Sequence, residues 1–388
     1  MVKAIVNGVI LLPEEEIRGK ALLYDTRVAA ICGEEEARRE AGEVLDAEGA
    51  YIAPGFMDTH IHGYGGDDVS DHDPQGVRRI AIKLVENGVT AFLPTTLTVA
   101  WDTLAAICAD MRALARESRQ PDFPGAEIAG VHLEGPFIQP KRKGAQNERY
   151  ILPPDAEKVL PYADIVRVLT FAPEMPGSGE MMDKLKKSGV ALSMGHTDAT
   201  FEQAMAAVAG GVSRCTHLFN AMTGLHHRNP GVVGAALNAP VYTELIADTF
   251  HVHPGIFPML ARLKGKYLVL ITDALRAAGL PDGTYENGGQ TFFLRGIECR
   301  LQDGTIAGSV LKMNEAVKNL RDYGGVSLCQ AVCAASRNAA ESVGLGDRKG
   351  SLTPGKDADI VLLDQNCRVL KTIVRGVCKY TAPDGPAA

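Results

Sequence analysis

No stretch of the 388-residue chain reaches about 18 consecutive apolar residues, so no membrane-spanning helix is expected. Basic residues are not in surplus: Lys and Arg number 40 against 47 Asp and Glu, a formal net charge of -7. That balance argues against a nucleic-acid partner, which wants a basic face. It also means that an anionic substrate would need a local basic pocket. The 8 cysteines are scattered and include no Cys-x-x-Cys pair. In a chain this long they read as reduced, mostly buried thiols of a cytoplasmic protein, not as a disulfide framework. Cys215, two residues before His217, suits core filling on a buried strand. A dinucleotide fingerprint is missing too: Gly63-Tyr-Gly-Gly66 is not the Gly-rich phosphate pattern that a doubly wound sheet carries after its first strand. No internal repeat is visible beyond an alternation of strands and helices.

The composition that remains, 46% hydrophobic and 22% charged, is that of an ordinary globular chain with ample core. The first residues are apolar, interrupted by Asn7-Gly8, and lead to Pro13-Glu-Glu-Glu16; this reads as a β-hairpin rather than a secretory leader. Short strands follow at 20–24, 28–32 and 44–47. The C-terminal end has the same character, with strands at 360–363, 368–374 and 377–380, the last two flanking a Gly376 turn. Between these ends strands and helices alternate. Strands are expected at 56–59, 89–94, 128–133, 165–171, 190–194, 214–218, 244–247 and 267–271, and helices at 74–86, 101–116, 179–187, 200–209 and 254–263. Eight strands in such alternation predict an α/β fold, a (β/α)8 TIM barrel over residues 55–351. Residues 1–54 and 352–388 together would form a small β-sandwich domain.

In such barrels chemistry sits at the C-terminal ends of the strands. Strand one ends at His60 and His62, whose i, i+2 spacing turns both imidazoles to one side. Strand three ends at Glu134, strand five at His196, strand six at His217, and strand eight at Asp273; strand seven leads to Asp248 and His251. Any one of these alone reads as a turn or cap residue. Together on one rim of a chain with only 10 histidines, they point to a divalent metal site. The ligand count suggests two ions bridged by one carboxylate, which would polarise a carbonyl and activate a water. Asp273 ends its strand with no other evident partner and is the candidate to accept that water's proton and return it to a leaving amine. His132 either steadies a ligand or is a core histidine. The turn His226-His-Arg-Asn-Pro230 is a candidate anion contact; the run Lys141-Arg-Lys143 reads better as a solvated loop.

These segments have a familiar look. Pro54-Gly-Phe-Met-Asp-Thr-His-Ile-His62 and Pro354-Gly-Lys-Asp-Ala-Asp-Ile-Val-Leu-Leu363 resemble the amidohydrolase superfamily. Within it, His132-Leu-Glu-Gly-Pro-Phe137, Phe171-Ala-Pro-Glu174, Gly195-His-Thr197, Thr216-His-Leu-Phe-Asn-Ala-Met222, Leu225-His-His-Arg-Asn-Pro-Gly231, Ile271-Thr-Asp-Ala274 and Ile306-Ala-Gly-Ser309 resemble the N-acetylglucosamine-6-phosphate deacetylases. Many other amidohydrolases bridge their metals through a lysine at the end of strand four, and none stands there in this chain. The resemblance implies hydrolysis of the N-acetyl group to glucosamine 6-phosphate and acetate. The galactosamine epimer is the alternative, and a dihydroorotase-like cyclic amidohydrolase or a non-catalytic barrel are more distant ones. It implies a main metal on Glu134, His196 and His217, and a second on His60 and His62, with Glu134 bridging and Asp273 contributing. The ion would be Zn or Fe, with Co or Mn as alternatives, one or two per subunit. Substrate contacts would come from Ala145, Gln146, Asn220, Ala221, Arg228, His251, Ile306, Ala307 and Gly308. Arg228 would reach in from the neighbouring subunit of a homodimer. Gln146 stands where some members have His, and Thr249 where the family usually has Gly.

Overall fold

Residues 1–383 and 385 are described by the computed structural model; the last part of the expected terminal unit, positions 384 and 386–388, lies outside them. The middle of the chain forms eight parallel barrel strands in sequence order. Strand one is Phe56–Ile61, two Val89–Thr96, three Val131–Glu134 preceded by Glu127–Ile128, and four Val166–Phe171. Strand five is Ala191–Met194, six Arg214–Cys215, seven Tyr242–Ile246 and eight Leu268–Ile271. Strands one and eight share no ladder. The barrel closes just beyond it, where Asp273 N donates to the His60 carbonyl and His62 N to the Ala274 carbonyl, each at 2.9 Å. These strands are buried on both faces, which is why they read as near-continuous apolar and β-branched runs such as Leu-Val-Leu-Ile. The helices between them start where the sequence caps them. Asp73 accepts from Gln75 N ahead of Pro74–Leu84, and Thr200 with Gln203 forms a capping box ahead of Phe201–Gly210.

Strand six is shorter than its apolar pattern predicts, because the chain bends out of the sheet after Cys215 to present His217. The sequence reading also left the region after strand eight without elements. It holds a three-stranded antiparallel sheet (Gly283–Asn287, Gln290–Arg295, Glu298–Leu301) and helices Met313–Gly324, Leu328–Ala335 and Arg337–Ser342.

The expected N-terminal hairpin is not formed. Lys3–Val6 and Val9–Leu11 flank Asn7-Gly8 but belong to different sheets. The first pairs with Lys20–Tyr24 and Glu43–Asp46, the second with Glu16–Ile17 and Tyr51–Pro54. Asn-Gly marks a sharp turn by its backbone freedom, but it does not choose the partner strand. Here apolar burial chooses it: Ile5, Leu22 and Leu45 of one sheet pack against Ile10, Ile52, Ile360, Leu362 and Ile373 of the other. A Cβ on Gly8 would lie 2.6 Å from Ile52 Cδ1, so the crossing itself requires glycine. The second sheet draws on both ends of the chain, with Ile360–Leu363, Val369–Val374 and Val377–Thr381 completing it. The Gly376 hairpin between the last two is formed as expected.

A buried ion cluster fastens the barrel to the C-terminal segment. Glu127, at the start of strand three, accepts from Arg348 at 2.6 Å and meets Lys349 at 2.9 Å. Arg348 also pairs with Asp357 and Lys349 with Asp359, at 2.7 and 2.6 Å. Burial alone would raise the Glu127 pKa, but the Lys349 and Arg348 charges override it and hold it at about 2, below its ordinary 4.5. The sign follows from a depressed carboxylate: its contribution is complete above 4.5 and is lost as pH falls toward about 2. Acid unfolding of the Glu127→Gln variant, followed by circular dichroism, is therefore expected to lose part of the steepness that the parent shows in that window. Superimposable acid profiles would remove Glu127 from this role.

Candidate active site

Four histidines and two carboxylates from five strand ends meet at the C-terminal mouth of the barrel. Glu134 Oε1 is the hub: His217 Nε2 lies 3.0 Å from it, His196 Nε2 3.2 Å and His60 Nε2 3.3 Å. Glu134 Oε2 faces His62 Nε2 at 3.3 Å. Asp273 Oδ1 stands 3.1 Å from His62 Nε2 and 3.5 Å from His60 Nε2. Two overlapping triads share Glu134: His60 and His62 on one side, His196 and His217 on the other.

The residues fit divalent cations. Nitrogen and oxygen ligands about 2.0–2.1 Å from a tetrahedral ion are about 3.3 Å apart, close to the spacing seen here. Three of the imidazoles are oriented for coordination through Nε2, because Nδ1 is already donating. His62 Nδ1 donates to the Thr95 carbonyl at 3.1 Å, His196 Nδ1 to the Arg142 carbonyl at 2.9 Å, and His60 Nδ1 to Glu244 Oε2 at 3.0 Å. His60 Nε2 is buried with no aligned hydrogen-bond partner among the described residues, despite its 3.3 Å charge contact with Glu134. Burial opposes protonation of His60 and His62, but the Glu134 and Asp273 carboxylates override it, holding His60 well above the ordinary imidazole value and His62 up to about 10. Burial likewise opposes ionisation of Glu134 and Asp273. The surrounding imidazoles, His60 foremost, pull both below the usual carboxylate range. The cluster therefore demands positive charge at its centre.

Backbone strain is concentrated here. His196, His217 and Asp273 have φ of 46°, 27° and 51°, in the left-handed region that non-glycine residues avoid. Each stands where the chain turns sharply off a strand, which aims its side chain at the hub. Gly308 holds the wall next to Asp273. Ser309 N donates to the Asp273 carbonyl at 2.8 Å, and a Cβ on Gly308 would lie 2.9 Å from that same oxygen. Thr249, where glycine was expected, has φ 68° and so takes the glycine conformation. Asp248 braces the turn by accepting from His251 N at 2.8 Å and pairing with His251 Nδ1 at 2.6 Å.

Above the hub opens a cavity of about 400 Å³. Of the residues read from the sequence, Ala145, Gln146, Asn220, Ala221, His251, Ile306, Ala307 and Gly308 line it, with His62, Glu134, His196, His217 and Asp273. Arg228 does not line it. It sits on the exposed loop after strand six, with Nη1 2.8 Å from His227 Nε2. Lys141 and Arg142 are more than a solvated loop: both line the cavity and both pair with Asp198, at 2.6 and 2.8 Å. Gln146 is held at both ends of its amide. Thr98 N donates to its Oε1 at 2.6 Å, which turns Nε2 toward a close contact with Glu134 Oε2. His132 lies beneath the hub with both nitrogens occupied, Nδ1 donating to the Thr59 carbonyl and Nε2 accepting from Thr170 Oγ1. Burial and the neighbouring His60 charge push its pKa down to about 3, so it is a neutral packing histidine.

Sequence reasoning missed Glu244 and Arg214. Glu244, fully buried on strand seven, accepts from His60 Nδ1, from His217 N at 3.1 Å and from Arg214 Nη2 at 2.6 Å. Burial would raise its pKa, yet the His60 and Arg214 charges hold it well below the usual range. The available signal was a glutamate inside buried strand seven and an arginine opening strand six before it. The cavity-lining residues Asn287, Gln290 and Phe292 were also missed, because their sheet has no place in the barrel's alternation.

The Amidohydrolase family model matches residues 51–378. The chain is 38% identical over 380 residues to the N-acetylglucosamine-6-phosphate deacetylase of Bacillus subtilis (strain 168), covering 96% of each. It is 36% identical over 344 residues to the N-acetylgalactosamine-6-phosphate deacetylase of Escherichia coli O157:H7, covering 86% of this chain and 89% of that one. Among solved structures it is similar to a mutant of the N-acetyl-D-glucosamine-6-phosphate deacetylase of Mycobacterium smegmatis in complex with N-acetyl-D-glucosamine-6-phosphate. There the TM-score is 0.88 at 31% identity, covering 98% of this chain and 99% of that one.

Proposed function

Since the chain belongs to the amidohydrolase family, we infer that it hydrolyses the N-acetyl group of N-acetylglucosamine 6-phosphate, giving glucosamine 6-phosphate and acetate. The observation that carries this reading is the Glu134 hub, with three Nε2 atoms at 3.0–3.3 Å and Asp273 beside it, at the base of a cavity large enough for a phosphorylated sugar. A divalent cation held by Glu134, His196 and His217 would supply Lewis acidity toward the acetyl carbonyl and the attacking water. The His60, His62 and Glu134 group, with Asp273 Oδ1 3.1 Å from His62 Nε2, would hold a second ion. Zn and Fe suit this donor set best, with Co and Mn as alternatives.

In the reaction Asp273 Oδ1 takes a proton from the attacking water and returns it to the departing nitrogen. Gln146 steadies Glu134 through Nε2, a positioning role. Asn220, Ala221 and His251 orient the sugar phosphate, and residues 306–308 line the sugar face. We assign Arg228 to the neighbouring active site of a homodimer. Its exposure, its absence from the lining of its own cavity and the 55% exposed Leu225 on the same loop support that assignment. Residues 1–54 and 352–388 are taken as one small β domain and 55–351 as the catalytic domain. A cytoplasmic location fits the free thiols. No helix among the described residues is long and apolar enough to cross a membrane.

Acetate release from N-acetylglucosamine 6-phosphate, its galacto epimer and unphosphorylated N-acetylglucosamine tests the reading. The gluco phosphate is expected to be best. Loss of the charge-assisted phosphate contacts should lower kcat/KM for the unphosphorylated sugar by about tenfold to a hundredfold. Equal turnover with and without phosphate would refute the substrate class. The 36% identical galactosamine relative makes the epimer the second reading, and the same assay ranks the two.

A further inference from the structure

A second cavity, about 210 Å³, opens at the opposite, N-terminal end of the barrel. The last turns of helix Trp101–Glu117, the start of strand three and the start of strand four surround it. Its lining holds five arginines, Arg112, Arg116, Arg119, Arg167 and Arg348, against two carboxylates, Glu127 and Asp164. This is a local reversal of charge in a chain whose net charge is -7.

Both carboxylates are already committed. Asp164 accepts from Arg112 Nε at 2.9 Å and from its Nη2 at 2.6 Å. Glu127 is occupied by Arg348 at 2.6 Å and Lys349 at 2.9 Å. The remaining guanidiniums have little left to pair with. Arg119 reaches Glu127 only at 3.8 Å, and Arg167 Nε donates only to the Ala129 carbonyl, at 3.4 Å. The Arg116 guanidinium makes no hydrogen bond or ion pair with any described residue; its backbone carbonyl accepts from Arg119 N at 3.4 Å. Burial, and then the nearby Arg348 charge, lower the Arg167 pKa below that of an ordinary arginine. Guanidiniums gathered round one concavity repel each other, and a multivalent oxyanion relieves that repulsion while taking paired N–H donors from each.

We propose that this cavity, with Arg116, Arg119 and Arg167 around it, is a binding site for a small phosphate oxyanion, separate from the catalytic mouth. The ligand is a phosphate group, either free as phosphate or pyrophosphate or carried on a small sugar. Two committed acids on the rim and the small volume disfavour an extended polyanion.

The test is calorimetric titration of pyrophosphate into the full-length protein, the Arg116→Ala/Arg167→Ala double variant, and a His251→Ala/Arg228→Ala variant. The last removes the two charged or titratable side chains, His251 and Arg228, assigned to phosphate at the catalytic mouth. Pyrophosphate is expected to bind the parent and the mouth variant alike, with affinity falling as salt rises. The double variant should bind at least tenfold more weakly. Arg116→Ala alone, at an exposed residue whose side chain has no bond to lose, should weaken binding about threefold or more without changing the melting temperature. Unchanged affinity in both arginine variants, or loss confined to the mouth variant, would overturn the site. Competition by glucosamine 6-phosphate in the mouth variant would identify a sugar phosphate as the occupant, and its failure to compete an inorganic one; either result supports the site.

Discussion

Asp273→Asn is expected to lower turnover by about 10²–10⁴-fold, the usual contribution of a positioned acid–base group. Asn keeps the shape of the side chain and can still accept from His62, whose Nε2 lies 3.1 Å from Asp273 Oδ1. It cannot take a proton from water and return it to a leaving nitrogen. The Glu134, His196 and His217 group that could hold the main metal is untouched by the change. The checks are acetate release, metal content and a thermal melt on one preparation. The expected combination is a folded variant that retains at least one equivalent of metal and has collapsed kcat. A kcat within threefold of the parent would remove Asp273 from proton transfer. Metal loss in step with activity would instead make it chiefly a ligand.

Arg214→Leu is expected to destabilise the fold by about 3–5 kcal/mol, the cost of leaving a buried charge without its partner. Arg214 and Glu244 are both fully buried, and their 2.6 Å contact joins adjacent strands six and seven. Arg214 Nη2 also donates to Thr59 Oγ1 at 3.0 Å, one residue before His60. Without the guanidinium, Glu244 retains only His60 Nδ1 and His217 N as donors. Urea melts should show the loss. Arg214→Met combined with Glu244→Gln should recover part of it, because the second change removes the stranded charge. If the double variant is less stable than Arg214→Leu by a further few kcal/mol, the pair is not held together chiefly by charge. The same variants report on the site, since Glu244 fixes which nitrogen of His60 faces Glu134. Metal stoichiometry is expected to fall on the His60 side before the His196 and His217 side.

Much of this was legible in the residues. The i, i+2 pair His60 and His62, Glu134, His196, His217 and Asp273 were found because each ends an apolar run, and a parallel barrel brings such ends to one rim whatever their distance in sequence. That logic did not reach the cavity lining at Asn220, Ala221 and residues 306–308, which came only through motif resemblance, since loops have no period to read. Gln146 was visible as a departure, but its task was not. Only the Thr98 N–H on its oxygen shows which end of the amide faces Glu134.

What the sequence determined by itself is what short-range physics encodes. Alternating strands and helices gave the barrel, and strand exits gave the donors. The tertiary structure decided the pairings that no local pattern can express. Asn7-Gly8 makes its turn in either arrangement, yet the buried faces of Ile5 and Ile10 send the two strands into separate sheets. Glu244 and Arg214 look like misplaced charges until strands six and seven set them 2.6 Å apart beneath His60. A charge can be buried only where the fold supplies its counter-charge. That supply is a property of three-dimensional neighbours rather than of sequence neighbours.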